Sequence, residues 1–218
     1  MMKGRDSRPL SNGGRGRLEP RIAHGARFLA ATVAGREAAA RTHCNAALGN
    51  GATAAELIEI ARMAPLFGGF PRAIQGMRAL AAALDGAGLP IPADPEPGRR
   101  SRSADRARGA ALFRQIYADQ SDAVLRRLET PARGFAAVIL EDAYGRVLAR
   151  PLLTAAEREL LAVAALIVLD CPAQLASHVR GALRVGATRR QLGAIVAALA
   201  GEVPATLLTA ARRTIDAT

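Results

Sequence analysis

Glu159 and His178 are the residues best placed to do chemistry in this sequence. They flank the tripeptide Asp170-Cys171-Pro172, with an apolar run from Leu160 to Leu169 between them. Read as two helices folded back at that tripeptide, Glu159 lies about 16 Å back from the turn and His178 about 11 Å forward at 1.5 Å per residue. A modest tilt lets carboxylate and imidazole face each other inside an apolar hairpin. Such a pair suits proton transfer, because burial and the partner together tune both groups toward neutrality. Cys171 is a third reactive group. At a helix N-terminus its thiol pKa can fall, although a lone cysteine there also serves as a small packing residue. Ser177 beside His178 makes no triad, since adjacent helical residues point to different faces.

The elements that position these groups read from the flanking residues. Thr154 with Glu157 forms a capping box that opens the first helix of the hairpin. Asp170 is suited to cap the second helix, Pro172 to sit in its first turn, and Gly186 to end it. Upstream, residues 1–19 lack hydrophobic periodicity and predict a disordered basic arm. Residues 20–84 are helical throughout, with a capping box at Thr53 and Glu56 and breaks at Gly35, Gly49-Asn50-Gly51 and Gly68-Gly69-Phe70-Pro71. Residues 85–104, with four prolines, three glycines and a basic-serine end, predict a linker with no apolar face to bury. Helical periodicity resumes over 105–218. Leu112, Ile116 and Tyr117 share one face, and Phe135, Val138, Ile139 and Tyr144 another. The last helices open at Thr188 and Pro204.

The two halves repeat. At a shift of 135 residues, Thr42–Thr53 lies on Ser177–Thr188, so that His43 falls on His178, Gly51 on Gly186, and Leu57 and Ile60 on Leu192 and Ile195. His24 then stands where Glu159 stands. His43 is a secondary candidate. It lies among Ala39, Ala40 and Ala47 with no carboxylate at the corresponding position, and Glu37 points to another face, which favours a structural role.

The pattern R-P-x-L-x-x-x-x-R-E-L, an apolar helix, then H-x-x-x-A-L-x-x-G-A-T resembles the carboxymuconolactone decarboxylase family, which has the alkylhydroperoxidase D (AhpD)-like fold. It is carried by Arg150, Pro151, Leu153, Arg158, Glu159, Leu160, His178, Ala182, Leu183, Gly186, Ala187 and Thr188, with Tyr144-Gly145 upstream. The first half adds F-G-G-F-P-R-A at Phe67–Ala73. The sequence departs from the pattern at Leu148, where a Trp is common, at Leu152, where Gly is usual, and at Gly201–Pro204, a segment shortened by two residues.

The resemblance implies an all-α, AhpD-like tandem repeat, with units at 20–84 and 105–218. It implies a cofactor-free lyase acting on a small carboxylated lactone or keto acid. His178 would then be the proton donor and Glu159 its partner, and Arg150 or Arg158 would bind the substrate carboxylate, a task suited to a bidentate guanidinium. An alternative is a thiol-dependent peroxidase. Cys171 lies seven residues before His178, as the first cysteine of the AhpD Cys-x-x-Cys motif does, but Gln174 occupies the second position. A third reading is a non-catalytic assembly or ligand-binding protein. The resemblance also implies self-association.

Bulk properties narrow the setting. Half of the 218 residues are hydrophobic and only 3% aromatic, which suits closely packed, alanine-rich helices. The formal net charge is +11, and Lys3 is the only lysine. No basic stripe interleaves with stacking aromatics, so no specific nucleic-acid partner is expected. With three histidines and no ligand spacing, no metal is expected. Two cysteines make no disulfide framework, no secretory signal is visible, and Leu160–Leu169 is far short of the ~18 residues of a membrane span. The expected location is the cytoplasm.

Overall fold

The computed structural model describes residues 16–96, 98 and 100–218. Ten α-helices follow in order: α1 Pro20–Val33, α2 Glu37–Gly49, α3 Ala54–Gly86, α4 Arg102–Tyr117, α5 Ser121–Glu129, α6 Phe135–Val138, α7 Ala155–Val168, α8 Pro172–Arg184, α9 Arg189–Ala198 and α10 Ala205–Asp216. A π-helix, Ile139–Leu148, continues α6. Among the described residues there is one isolated β-bridge, Ala200 to Val203, and no strand. The all-α expectation holds.

The repeat is visible helix by helix. α7 and α8 begin and end 135 residues after α1 and α2. Thr53 and Thr188 each cap the helix that follows, with Glu56 and Gln191 completing the two boxes. α3 is kinked at Gly69, whose φ of +70° is open to glycine. Its two halves correspond to α9 and α10. The stop between α1 and α2 is Gly35 at φ +75°, and the equivalent stop between α7 and α8 is Asp170 at φ +51°. This corrects the expected capping role of Asp170. It ends α7 in the left-handed region, which Asp tolerates better than most residues, and the N-cap of α8 is Cys171, without a side-chain cap bond.

The repeats pack through α1 and α7 at the centre of the core. Every residue of α7 from Arg158 to Ile167 is buried. Arg21, in the first turn of α1, binds both capping glutamates, Glu56 of α3 at 3.0 Å and Glu157 of α7 at 2.5 Å, and so ties the openings of the two units together.

Between the repeats, α4 lies against the π-helix. Their backbones touch at Gly109 and Gly145. A Cβ on Gly145 would collide with the Asp105 carbonyl, and one on Gly109 with the Leu140 carbonyl. Arg146 reaches Asp105 at 2.7 Å across the same contact.

Two boundary expectations are refined. Residues 1–15 of the basic arm lie outside the described residues, while Leu18 packs on the core and Gly16 and Arg17 lie over the N-terminus of α9. The linker has no apolar face, but charge docks it. Asp94 accepts from Arg62 and Arg150, and Glu96 from Arg100 and Arg108.

Candidate functional site

The α7–α8 hairpin does what its spacing suggests. His178 Nδ1 lies 2.9 Å from Glu159 Oε2, with the two side chains 14% and 2% exposed. Gly181, one turn beyond His178, makes room for the carboxylate. A Cβ there would stand 2.9 Å from Glu159 Oε2 and 2.7 Å from Ile116 Cγ2. Burial pushes the His178 pKa down, but the charge of Glu159 and its hydrogen bond outweigh burial and leave it raised. With Nδ1 committed to Glu159, Nε2 has no protein partner among the described residues. Neutral, it is a proton acceptor; charged, a donor.

His178 opens on a cavity of about 390 Å³, near the lower end of the ~300–1,000 Å³ of small-molecule sites. Five groups of residues form its wall. Leu66 and Phe67 come from α3, Phe113 and Tyr117 from α4, Val124 and Leu128 from α5. Ile139, Ala143, Tyr144 and Leu148 come from the π-helix, and Leu166, Ala173, Gln174 and Ser177 from the hairpin. Phe67 stands edge-on to His178 with ring centroids 6.3 Å apart. Phe113 stacks on Tyr117 at 4.2 Å and meets Tyr144 edge-on at 4.9 Å. The Tyr144 hydroxyl donates to that of Tyr117 at 3.2 Å. Burial, then the proximity of Tyr117 and Glu159, holds Tyr144 well above the usual phenol pKa.

The structure does not bring Arg150 or Arg158 to His178. Both are drawn into a buried ion cluster around Glu59 of α3. Arg150 Nε donates to Glu59 at 2.9 Å and Arg150 also binds Asp94; Arg158 Nη2 donates to Glu59 at 2.9 Å and to the Arg150 carbonyl at 3.0 Å. Arg158 is 2% exposed, and its Nε and Nη1 are buried without a hydrogen-bond partner among the described residues. Burial lowers its pKa against the pull of Glu59. The expected carboxylate binders are thus seen as parts of the framework, because Glu59, remote in sequence, claims their donors.

Cys171 is half-buried and its Sγ donates to the Leu169 carbonyl at 3.5 Å. It is not part of the cavity wall, whereas Gln174 is. Cys44 is buried, and burial pushes its thiol up to about 12.

His43 has a carboxylate partner after all. Glu202 of the other repeat places Oε1 2.9 Å from Nε2. Glu37 is taken up by Arg78 at 3.7 Å. His24, at the position equivalent to Glu159, offers no carboxylate. Its Nδ1 is buried without a partner, and burial, Arg27 and His43 lower its pKa.

Tyr117, Phe67, Gln174 and Ser177 are site residues that sequence reasoning did not single out for chemistry. One signal was present: both tyrosines of the chain, and four of its seven aromatic residues, line this one cavity.

With a repeated four-helix unit and a histidine–carboxylate pair on its second hairpin, the molecule has the architecture expected for an AhpD-like protein. The model of the carboxymuconolactone decarboxylase family matches residues 11–82 and 136–215, and the chain belongs to that family. Its two matched segments agree with the two repeats. Residues 83–135, which hold the linker, α4 and α5, are not matched, although they supply Phe113, Tyr117, Val124 and Leu128 to the cavity. The chain is also similar to Peroxisomal protein 2 of Schizosaccharomyces pombe, with 31% identity over 139 residues, 61% of each protein. It therefore spans less than two thirds of that relative's length. Among the described residues no helix is long and apolar enough to cross a membrane.

Proposed function

We propose that the chain is a cofactor-free lyase in which His178 handles the proton and Glu159 holds and orients it. One observation carries the reading: the 2.9 Å contact that fixes Nδ1 and leaves Nε2 at the cavity. In the reaction a carbon–carbon bond to a carboxylate breaks next to a carbonyl or conjugated lactone. The bonding pair passes into the carbonyl as an enolate, and carbon dioxide leaves. Protonated His178 then delivers its Nε2 proton to the carbon, and the imidazole regains a proton from water. Glu159 keeps the Nδ1 proton in place and stabilises the imidazolium throughout.

The apolar wall has a part in this step. A carboxylate placed against Leu128, Ile139 and Leu148 loses hydration that the delocalised enolate needs less, so the charged ground state is disfavoured relative to the transition state. The peroxidase reading has less support, since Cys171 lies off the cavity wall and Gln174 stands in place of a resolving thiol. For the compartment, two unpaired cysteines support a reducing cytoplasm. The name of the fission-yeast relative offers the peroxisome instead, and cell fractionation separates the two.

The test is turnover of a panel of keto acids and unsaturated lactone acids, followed by release of carbon dioxide. His178→Ala should lower the rate by roughly two to four orders of magnitude, and Cys171→Ser should leave it near wild type. Peroxide reduction that vanishes in Cys171→Ser would show the thiol reading to be the right one. A chain inert toward the panel would favour ligand binding without catalysis.

A further inference from the structure

We propose that the His178 cavity selects a largely apolar, ring-sized molecule with one carbonyl oxygen, which Tyr117 receives, and at most one carboxylate, and rejects dicarboxylates. The inference rests on the cavity being the substrate site, and goes beyond that reading by naming the class of ligand and a specificity residue. Three observations carry it.

Among the described residues, no arginine or lysine lines the cavity. The two arginines nearest in sequence to Glu159 are held by Glu59, and Arg158 is sealed in the interior. A dianion would have to shed its water with only one positive group, protonated His178, to meet it. The wall is instead aromatic and aliphatic, with Phe67, Phe113, Tyr117 and Tyr144 offering faces and edges to a planar ring.

The polar end is equally specific. Tyr144 donates its proton to the Tyr117 oxygen, and burial keeps Tyr144 a phenol. The Tyr117 proton has no acceptor among the described residues, and Tyr117 lines the cavity. A phenol whose oxygen already accepts is polarised to donate more strongly. It can serve one carbonyl or enolate oxygen in the same space that His178 faces.

Part of this chemistry comes from outside the family match, while Phe67, Tyr144 and His178 lie within it. Phe113 and Tyr117 belong to α4, within the unmatched residues 83–135. The hydroxyl that receives the carbonyl is therefore supplied by a segment between the two matched copies.

The experiment measures equilibrium binding to the full chain of three probes: acetophenone, ethylbenzene, which lacks the oxygen, and phthalate, which carries two carboxylates. Acetophenone should bind at least roughly tenfold more tightly than phthalate. Tyr117→Phe should weaken acetophenone by roughly threefold to tenfold, the range of one hydrogen bond, and leave ethylbenzene unchanged. Ala173→Trp, at an exposed position of the cavity rim, should block both. Phthalate binding as tightly as acetophenone would overturn the proposal, as would a Tyr117→Phe variant that changes neither ligand or both alike. These results are separable from the lyase reading. Probe binding as expected with no keto acid turned over would sink the lyase and keep the ligand class. Turnover of dicarboxylates with tight phthalate binding would do the reverse.

Discussion

Phe67 of the first repeat stands edge-on to His178 of the second, and the relationship is returned: Glu202 of the second repeat reaches His43 of the first. Both contacts come from the segment that leads into a proline, Pro71 in one unit and Pro204 in the other. The two repeats thus behave as an internal pseudo-dimer, each covering the other's histidine. The coverings differ in kind. An aromatic edge leaves Nε2 of His178 without a protein partner, whereas a carboxylate occupies Nε2 of His43. The nitrogen left over differs too: Nε2 of His178, which lines the cavity, and Nδ1 of His43.

His43→Ala should therefore leave activity within about twofold of wild type while removing a part-buried pair that contributes about 1 kcal/mol. Rate and thermal midpoint measured on the same preparation decide it. A loss of rate comparable to that of His178→Ala would mean that both sites work.

Glu59→Gln should cost about 3–5 kcal/mol, because two buried guanidinium groups would lose the carboxylate between them. Denaturant unfolding measures this. If the arginines instead served substrate directly, the variant would fold with near-normal stability and change mainly KM.

Gly145→Ala should destabilise by about 3 kcal/mol or more, since the added methyl meets rigid backbone of α4 and not a movable side chain. Gly193→Ala, in α9 with nothing within 4 Å of the new Cβ, should be stabilising by up to ~1 kcal/mol. Equal effects in thermal unfolding would mean that the α4 contact is looser than described.

Gly181→Ala should cost about 1–3 kcal/mol and, more tellingly, displace the Glu159 carboxylate that the new methyl would crowd. The His178 ring resonances should shift with it. A variant with wild-type resonances and rate would show that the close approach does not matter.

Much of the fold could be read from the sequence because its signals are local. Capping boxes at Thr53, Thr154 and Thr188 mark helix starts within three residues, and the 135-residue repeat doubles each reading. The Glu159–His178 contact was legible for the same reason: a turn of known place joins two helices of known rise. What escaped depends on long-range partners. Glu59 lies 91 residues from Arg150 and 99 from Arg158, and Glu202 lies 159 from His43. No spacing rule reaches that far. A neighbouring arginine therefore read as a ligand-binding group when its charge is used inside. The cavity wall escaped likewise, because α4, α5 and the π-helix contribute to it as side chains without a motif.

The pH dependence follows from the same pair. Glu159 raises the pKa of His178 in the folded chain. The resulting stabilisation is fully present below the unfolded imidazole value of ~6.5 and is lost as pH rises through the higher folded value.

Nuclear magnetic resonance titration of the His178 imidazole, in the wild-type chain and in Glu159→Gln, tests the account most directly. The wild-type midpoint should lie above the ordinary 6.5. In Glu159→Gln the charge that raised it is gone while burial remains, so the midpoint should fall below 6.5. A wild-type midpoint at or below the ordinary value, or one that Glu159→Gln leaves in place, would contradict the claim that this carboxylate prepares His178 to give up a proton in the cavity.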